Sequence, residues 1–178
     1  MRRLIVMTAC IGSLGVLFAM SAWNSWGTYL DKEHCPFCQD KVLEAQVFYE
    51  DSQALGMLTY KPITPGHLLI IPKRHVERFE ELSDEEIASM GQVIKKVHQA
   101  ASSVYKTGPY LLHQKNGREV GQTVSHIHIH YIPLKAESES VLTLIRRLIT
   151  SYFKPSLTEQ EMRPDREKLK QALDVSKI

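Results

Sequence analysis

A chain of 178 residues that is 43% hydrophobic and 24% charged is long enough to bury a core, and its ordinary composition excludes a disordered or collagen-like protein. Its 22 Lys and Arg stand against 20 Asp and Glu, and the surplus of +2 is Arg2 and Arg3, since residues 4–30 carry no charge. The balanced remainder lacks the basic footprint of a protein that binds nucleic-acid polymers, so any phosphate is held locally by a few aimed donors.

By composition the chain divides into residues 1–30, 31–135 and 136–178. In the first part an apolar stretch from Leu4 to Trp26 is long enough to cross about 30 Å of hydrocarbon. Trp23, Trp26 and Tyr29 sit where an interfacial aromatic belt belongs, and Arg2 and Arg3 favour an N-terminus inside. The expectation is an apolar helix over residues 4–26 that anchors the protein in a membrane, with its domain outside the cytoplasm. A signal peptide cleaved near Ala19-Met20-Ser21 gives an exported domain instead, and translation from Met20 a cytoplasmic one.

Downstream, Ala45–Glu50 and Leu55–Tyr60 read as short strands joined by a turn at Asp51-Ser52-Gln53. Pro62–Gly66 is a turn, and the apolar run His67–Pro72 is an inner strand. Ser83-Asp84-Glu85-Glu86 is a capping box that opens a helix to about Lys106. Tyr110–Gln114 is a strand, 116–121 a loop, and a further strand runs from His126 to Pro133. Val141–Phe153 is amphipathic and helical, and Thr158 caps a last charged helix to about Leu173. The order indicates an α+β domain: an antiparallel sheet of about five strands, one long helix, C-terminal helices and the N-terminal apolar helix.

The densest chemistry is His126-Ile127-His128-Ile129-His130, three of the eight histidines within five residues. Strand alternation sends the imidazoles to one face and leaves Ile127, Ile129 and Ile132 for a core. Neighbouring imidazoles cannot all carry a proton, so the cluster suits metal binding or proton and phosphoryl chemistry. Cys35-Pro36-Phe37-Cys38 has three readings: half a zinc site, a redox dithiol or a disulfide.

Together these motifs resemble the histidine-triad (HIT) nucleotide-binding proteins. The triad pattern reads His126-Ile-His128-Ile-His130-Tyr131-Ile132, joined by Gly121-Gln122-Thr123-Val124, Pro65-Gly66-His67 and Ile71-Pro72-Lys73-Arg74-His75-Val76. The likeness spans residues 34–134. It implies a homodimer paired through its sheets, a purine nucleotide bound beside the triad, and transfer of a nucleoside monophosphate to histidine and then to water. His126, His128 and His130 become the catalytic set. His128 is the nucleophile, kept neutral by like neighbours on either side, and His130 donates to a phosphate oxygen or the bridging atom. His67 lies near the leaving group, while Gln122, Thr123 and backbone around Gly121 hold phosphate oxygens.

The resemblance also assigns the pocket. Phe37, Leu43 and Ile71 line the base, and Thr59 stands at the ribose where relatives carry Asp or Asn. Lys115 replaces an amide near the α-phosphate, and Asn116 supplies that amide one position later. In zinc-bearing members the matching ligands are Cys35, Cys38, His75 and His126, a closed structural Zn²⁺ site. The expected activity is hydrolysis of nucleoside phosphoramidates or dinucleoside polyphosphates through a nucleotidyl-histidine. The rival readings are a nucleotide-binding module without catalysis and a cell-envelope metal or redox protein.

Overall fold

The computed structural model describes residues 29–134, 141–151 and 153–175. Strands β1 (Val47–Glu50), β2 (Ala54–Leu58), β3 (Leu68–Pro72), β4 (Tyr110–Gln114) and β5 (Ile129–Pro133) form one antiparallel sheet in the order β1-β2-β3-β5-β4. The helices are α1 (Asp40–Gln46), α2 (Asp84–Tyr105), α3 (Val141–Ser151) and α4 (Glu159–Val175).

β3 reads Leu-Leu-Ile-Ile-Pro and is buried throughout because both faces of the sheet are covered at its centre. On one face Ala54, Leu58, Leu68, Ile70, Ile127 and Tyr131 meet Met90, Val93 and Val97 of α2, with Met162, Leu169 and Leu173 of α4 closing the core. The other face carries Leu55, Met57, Leu69 and Ile71 and is roofed by Cys35, Phe37 and Val124. That second face carries the histidines.

Two local features place it. Gly66 sits at φ +81, and a Cβ there would lie 2.7 Å from Tyr105 Cδ2, so only glycine lets the chain turn here into His67. Upstream of β5, residues 124–127 are held extended by bonds outside the ladder. Leu30 N–H donates to Thr123 O, Ser125 N–H to Leu30 O, and Ile127 N–H to Val76 O, at 2.6–2.8 Å. The strand therefore begins at Ile129, later than expected, but side-chain alternation holds from His126 onward.

Several expectations change. Ala45 and Gln46 close α1 rather than open a strand, because Lys41 to Gln46 are mostly good helix formers and outweigh a weak alternation. Ile132 shares the parity of His130, so Tyr131 takes the core position under α2. The helix expected to run to Phe153 ends at Ser151. The membrane-anchored or exported placement is overturned: no helix among the described residues is long and apolar enough to cross a membrane. The segment 4–26 that carried it lies outside the described residues.

The capping box at Ser83 forms as expected and does more than cap. Glu86 accepts from Ser83 N–H at 2.9 Å and takes Arg74 Nε and Nη2 at 2.9 and 2.7 Å. It thus ties α2 to the Lys73-Arg74-His75 segment. The Arg74 guanidinium holds the Glu86 carboxyl below the usual carboxylate range. Arg74 is 56% exposed, so screening limits the gain, and Glu86→Gln should cost ~1–2 kcal/mol at neutral pH. A depressed folded pKa contributes stability above the unfolded value of about 4.3 and loses it as pH falls through the folded one. Urea midpoints of wild type and Glu86→Gln should therefore differ most near pH 7 and converge on acidification below about pH 4. A gap that stays constant to low pH would show that the carboxylate charge contributes nothing.

Candidate active site and metal centre

Cross-strand register assembles the site. His130 of β5 lies opposite Leu69 of β3 and His113 of β4, all on the face away from α2. His67, just before β3, shares the parity of Leu69 and reaches His130, with His67 Nε2 and His130 Nδ1 2.8 Å apart. The rings of His128 and His130 meet edge-on at 4.9 Å.

Backbone partners set the tautomers. Ile63 N–H donates to His67 Nδ1 at 3.1 Å, so in the neutral ring the proton sits on Nε2 and is given to His130 Nδ1. The remaining proton of His130 is then on Nε2, which makes that nitrogen a donor. His128 Nδ1 donates to the His126 carbonyl at 2.8 Å, which leaves the Nε2 lone pair bare. His126 Nε2 donates to Pro72 O at 3.0 Å, which turns its Nδ1 lone pair toward the cysteines.

Burial keeps these rings neutral. It pushes His67 and His126 down to about 4, and lowers His128 and His130 as well. At His128 burial acts first, and Lys115 and His113 also oppose its protonation. His128 in turn opposes protonation of both His126 and His130.

Cys35, Cys38, His75 and His126 bring one donor atom each within 4.8 Å of one another. His126 Nδ1 is 3.5 Å from Cys35 Sγ and 3.6 Å from Cys38 Sγ, and His75 Nδ1 is 3.3 Å from Cys38 Sγ. The 3-10 turn Pro36–Cys38 brings both sulfurs to one side, with Cys38 N–H bonded to Cys35 O at 3.2 Å. The two sulfurs are not bonded to each other here; Cys35 is buried and Cys38 exposed, and each has an imidazole nitrogen beside it. Two sulfurs, two ring nitrogens and a carbonyl fixing the His126 tautomer suit a metal ion bound without an open position. Burial and the neighbouring Cys38 push the Cys35 thiol up to about 12.

The other expected residues divide. Lys115 faces the site and donates from Nζ to Gly121 O at 3.1 Å. Thr123 is exposed on the loop beside the triad. Gln122 is buried, and its amide is spent within the protein. Its Nε2 donates to Glu77 O and Val124 O at 3.0 Å each, and its Oε1 accepts from Gly117 N–H at 2.6 Å. It shapes the loop and has no donor left for phosphate. Asn116 is likewise occupied elsewhere, with Oδ1 accepting from Phe79 N–H and Nδ2 donating to Glu80, each at 2.8 Å. Phe37 is buried edge-on to His126 and His128 at 5.8 and 5.4 Å, Ile71 is fully buried, and Leu43 is half-buried beside them. Thr59 is buried one residue beyond β2, its hydroxyl accepting from Lys61 N–H at 3.3 Å. His113 was not singled out by its sequence; only the β4–β5 register reveals it, 5.9 Å from the His130 ring.

Comparison with known proteins matches the HIT domain to residues 40–137. The chain is 37% identical over 105 residues to the adenosine 5′-monophosphoramidase of Schizosaccharomyces pombe, covering 56% of this chain and 73% of that one. It is 36% identical over 91 residues to the asymmetrical bis(5′-nucleosyl)-tetraphosphatase of the same organism, covering 51% of this chain and half the length of that relative. A zinc-bound histidine triad family protein from Mycobacterium smegmatis superimposes with a TM-score of 0.61 at 25% identity, covering 80% of this chain and 95% of that one.

Proposed function

This chain belongs to the HIT-domain family, and from that premise we propose that it hydrolyses a nucleoside phosphoramidate or a dinucleoside polyphosphate through a nucleotidyl adduct on His128. The observation that carries the reading is the bare, neutral Nε2 of His128, held by the Nδ1 bond to the His126 carbonyl. Nε2 attacks the α-phosphorus and a P–N bond forms. The bond to the leaving oxygen or nitrogen breaks and takes its electron pair with it. Water then attacks the adduct, releasing the nucleoside monophosphate and restoring the imidazole. His130 presents Nε2–H to a phosphate oxygen or to the bridging atom, and His67 is a positioning residue that locks it in that tautomer. Thr123 and Lys115 add donors at the phosphate, and Phe37, Leu43 and Ile71 form the apolar wall against which a purine rests.

Cys35, Cys38, His75 and His126 hold a structural zinc ion in this reading, supported by the donor set and by the zinc-bound neighbour. The ion supplies no chemistry to the substrate; it anchors His126, whose carbonyl orients the nucleophile. The working protein is a homodimer joined along β4, a free sheet edge where Tyr110, Leu111 and Leu112 are 39–41% exposed. Release of AMP from adenosine phosphoramidate and from diadenosine tetraphosphate tests the activity. Turnover of either supports it; binding of both without product leaves a nucleotide-binding module and removes the hydrolase.

A further inference from the structure

His113 occupies a place that the adduct chemistry leaves unassigned. Exposure across the histidine face is graded: His126 and His67 are 0% and 4% exposed, His128 9%, His130 is half-buried, and His113 on β4 is open. A phosphorus held at His128 is therefore walled by β3, Phe37 and the cysteine turn, and opens to solvent over β4. The β4 side is also where donors stand. His113 pairs with His130 in the sheet, and Lys115, one residue past β4, is near enough to His128 and His113 for its charge to act on both. His113 is on β4 and Lys115 directly follows that strand, with no carboxylate among Tyr110–Gln114.

From this placement we infer that His113, with Lys115, forms a subsite for an anionic, phosphate-bearing leaving group. The inference rests on the nucleotidyl-transfer reading and deepens it by naming what departs. In cleavage of a polyphosphate the P–O bond to the bridging oxygen breaks, and the electron pair leaves with a chain that ends in phosphate. Such a chain carries several negative charges and acceptor oxygens past the reacting centre, where hydrogen-bond donors and a cation stabilise it. The amine expelled from a phosphoramidate takes up a proton and offers no anion to the same groups, so it gains nothing from them. Two donors beyond the triad, on the open side, thus favour the polyphosphate.

The test uses the full-length, zinc-loaded protein as wild type, His113→Leu, His113→Asn and His113→Lys. Two quantities are measured: the ratio of kcat/KM for diadenosine tetraphosphate to that for adenosine phosphoramidate, and the affinity for inorganic tripolyphosphate by calorimetry. We expect the Leu and Asn variants to lower both by about tenfold, and the Lys variant, which keeps an N–H donor and adds a positive charge, to restore them to within about threefold of wild type. A ratio and a tripolyphosphate affinity unchanged in the Leu and Asn variants, or no tripolyphosphate binding by wild type, would overturn the subsite. Should wild type turn over neither substrate, the hydrolase reading fails by itself while the tripolyphosphate comparison still decides the role of His113. His113 is exposed on the sheet face beside His130 and is no part of the buried core, and the oligomeric state of each variant is checked against wild type because β4 is the proposed dimer edge.

Discussion

His128→Ala should lower turnover by about 10⁴-fold or more while leaving the fold intact. Removing a nucleophile that forms a covalent intermediate eliminates the route rather than weakening it, and that factor corresponds to about 5.5 kcal/mol of activation free energy. The residue touches little that holds the fold together. Its Nδ1 bond to the His126 carbonyl is local, and its ring lies on the face away from the α2 core. Circular dichroism should be unchanged. Imidazole added to His128→Gly should restore part of the rate, because the missing group is a neutral ring with one free lone pair. A variant that keeps turnover within about tenfold of wild type would place the nucleophile elsewhere.

The second large effect concerns the metal. If zinc is bound at about a thousand times its Kd, it adds about 4 kcal/mol to the folded state. For a chain of this size that is about 8–16 °C in melting temperature. A strong chelator, or Cys35→Ser, should remove it, and returning zinc should restore it only in the chelated wild type. Calorimetry and metal analysis check this. The ligands tie together parts of the chain that share no ladder: the Cys35–Cys38 turn, His75 after β3, and His126 ahead of β5. Turnover should fall with the ion, through kcat more than KM, because the lost anchor is the segment whose carbonyl holds the His128 tautomer. A protein that purifies without stoichiometric metal and melts unchanged with chelator would remove the zinc site.

Local chemistry carried much of the fold into view. The capping box at Ser83, the apolar run of β3 and the alternation from His126 are short-range signals; the first two elements formed near their expected bounds, and the third kept its alternation although β5 starts only at Ile129. The Cys35-x-x-Cys38 spacing similarly marks half of a metal cluster. What stayed hidden depends on partners distant in the chain. The Pro72 and His126 carbonyls and the Ile63 N–H decide the three tautomers, and no periodicity predicts a backbone partner. Gln122 and Asn116 are assigned to phosphate through the resemblance, which aligns residue types and not their local partners. Loop closure against Glu77, Gly117 and Phe79 uses those amides instead. His113 became visible only when β4 was set in register with β5. The likeness of Ala45 and Gln46 to a strand failed for a simpler reason, since helix propensity and the turn at Cys35–Cys38 start α1 just before them.

The central claim is a covalent step at one nitrogen, and rapid-quench mass spectrometry of the zinc-loaded wild type with diadenosine tetraphosphate tests it most directly. Quenched under alkaline conditions, which spare a phosphorus–nitrogen bond, the protein should gain the mass of one adenylyl group on the peptide that contains His128. That species should form and decay at rates consistent with turnover. AMP released with no adduct at any time, or an adduct on a different residue, would contradict it.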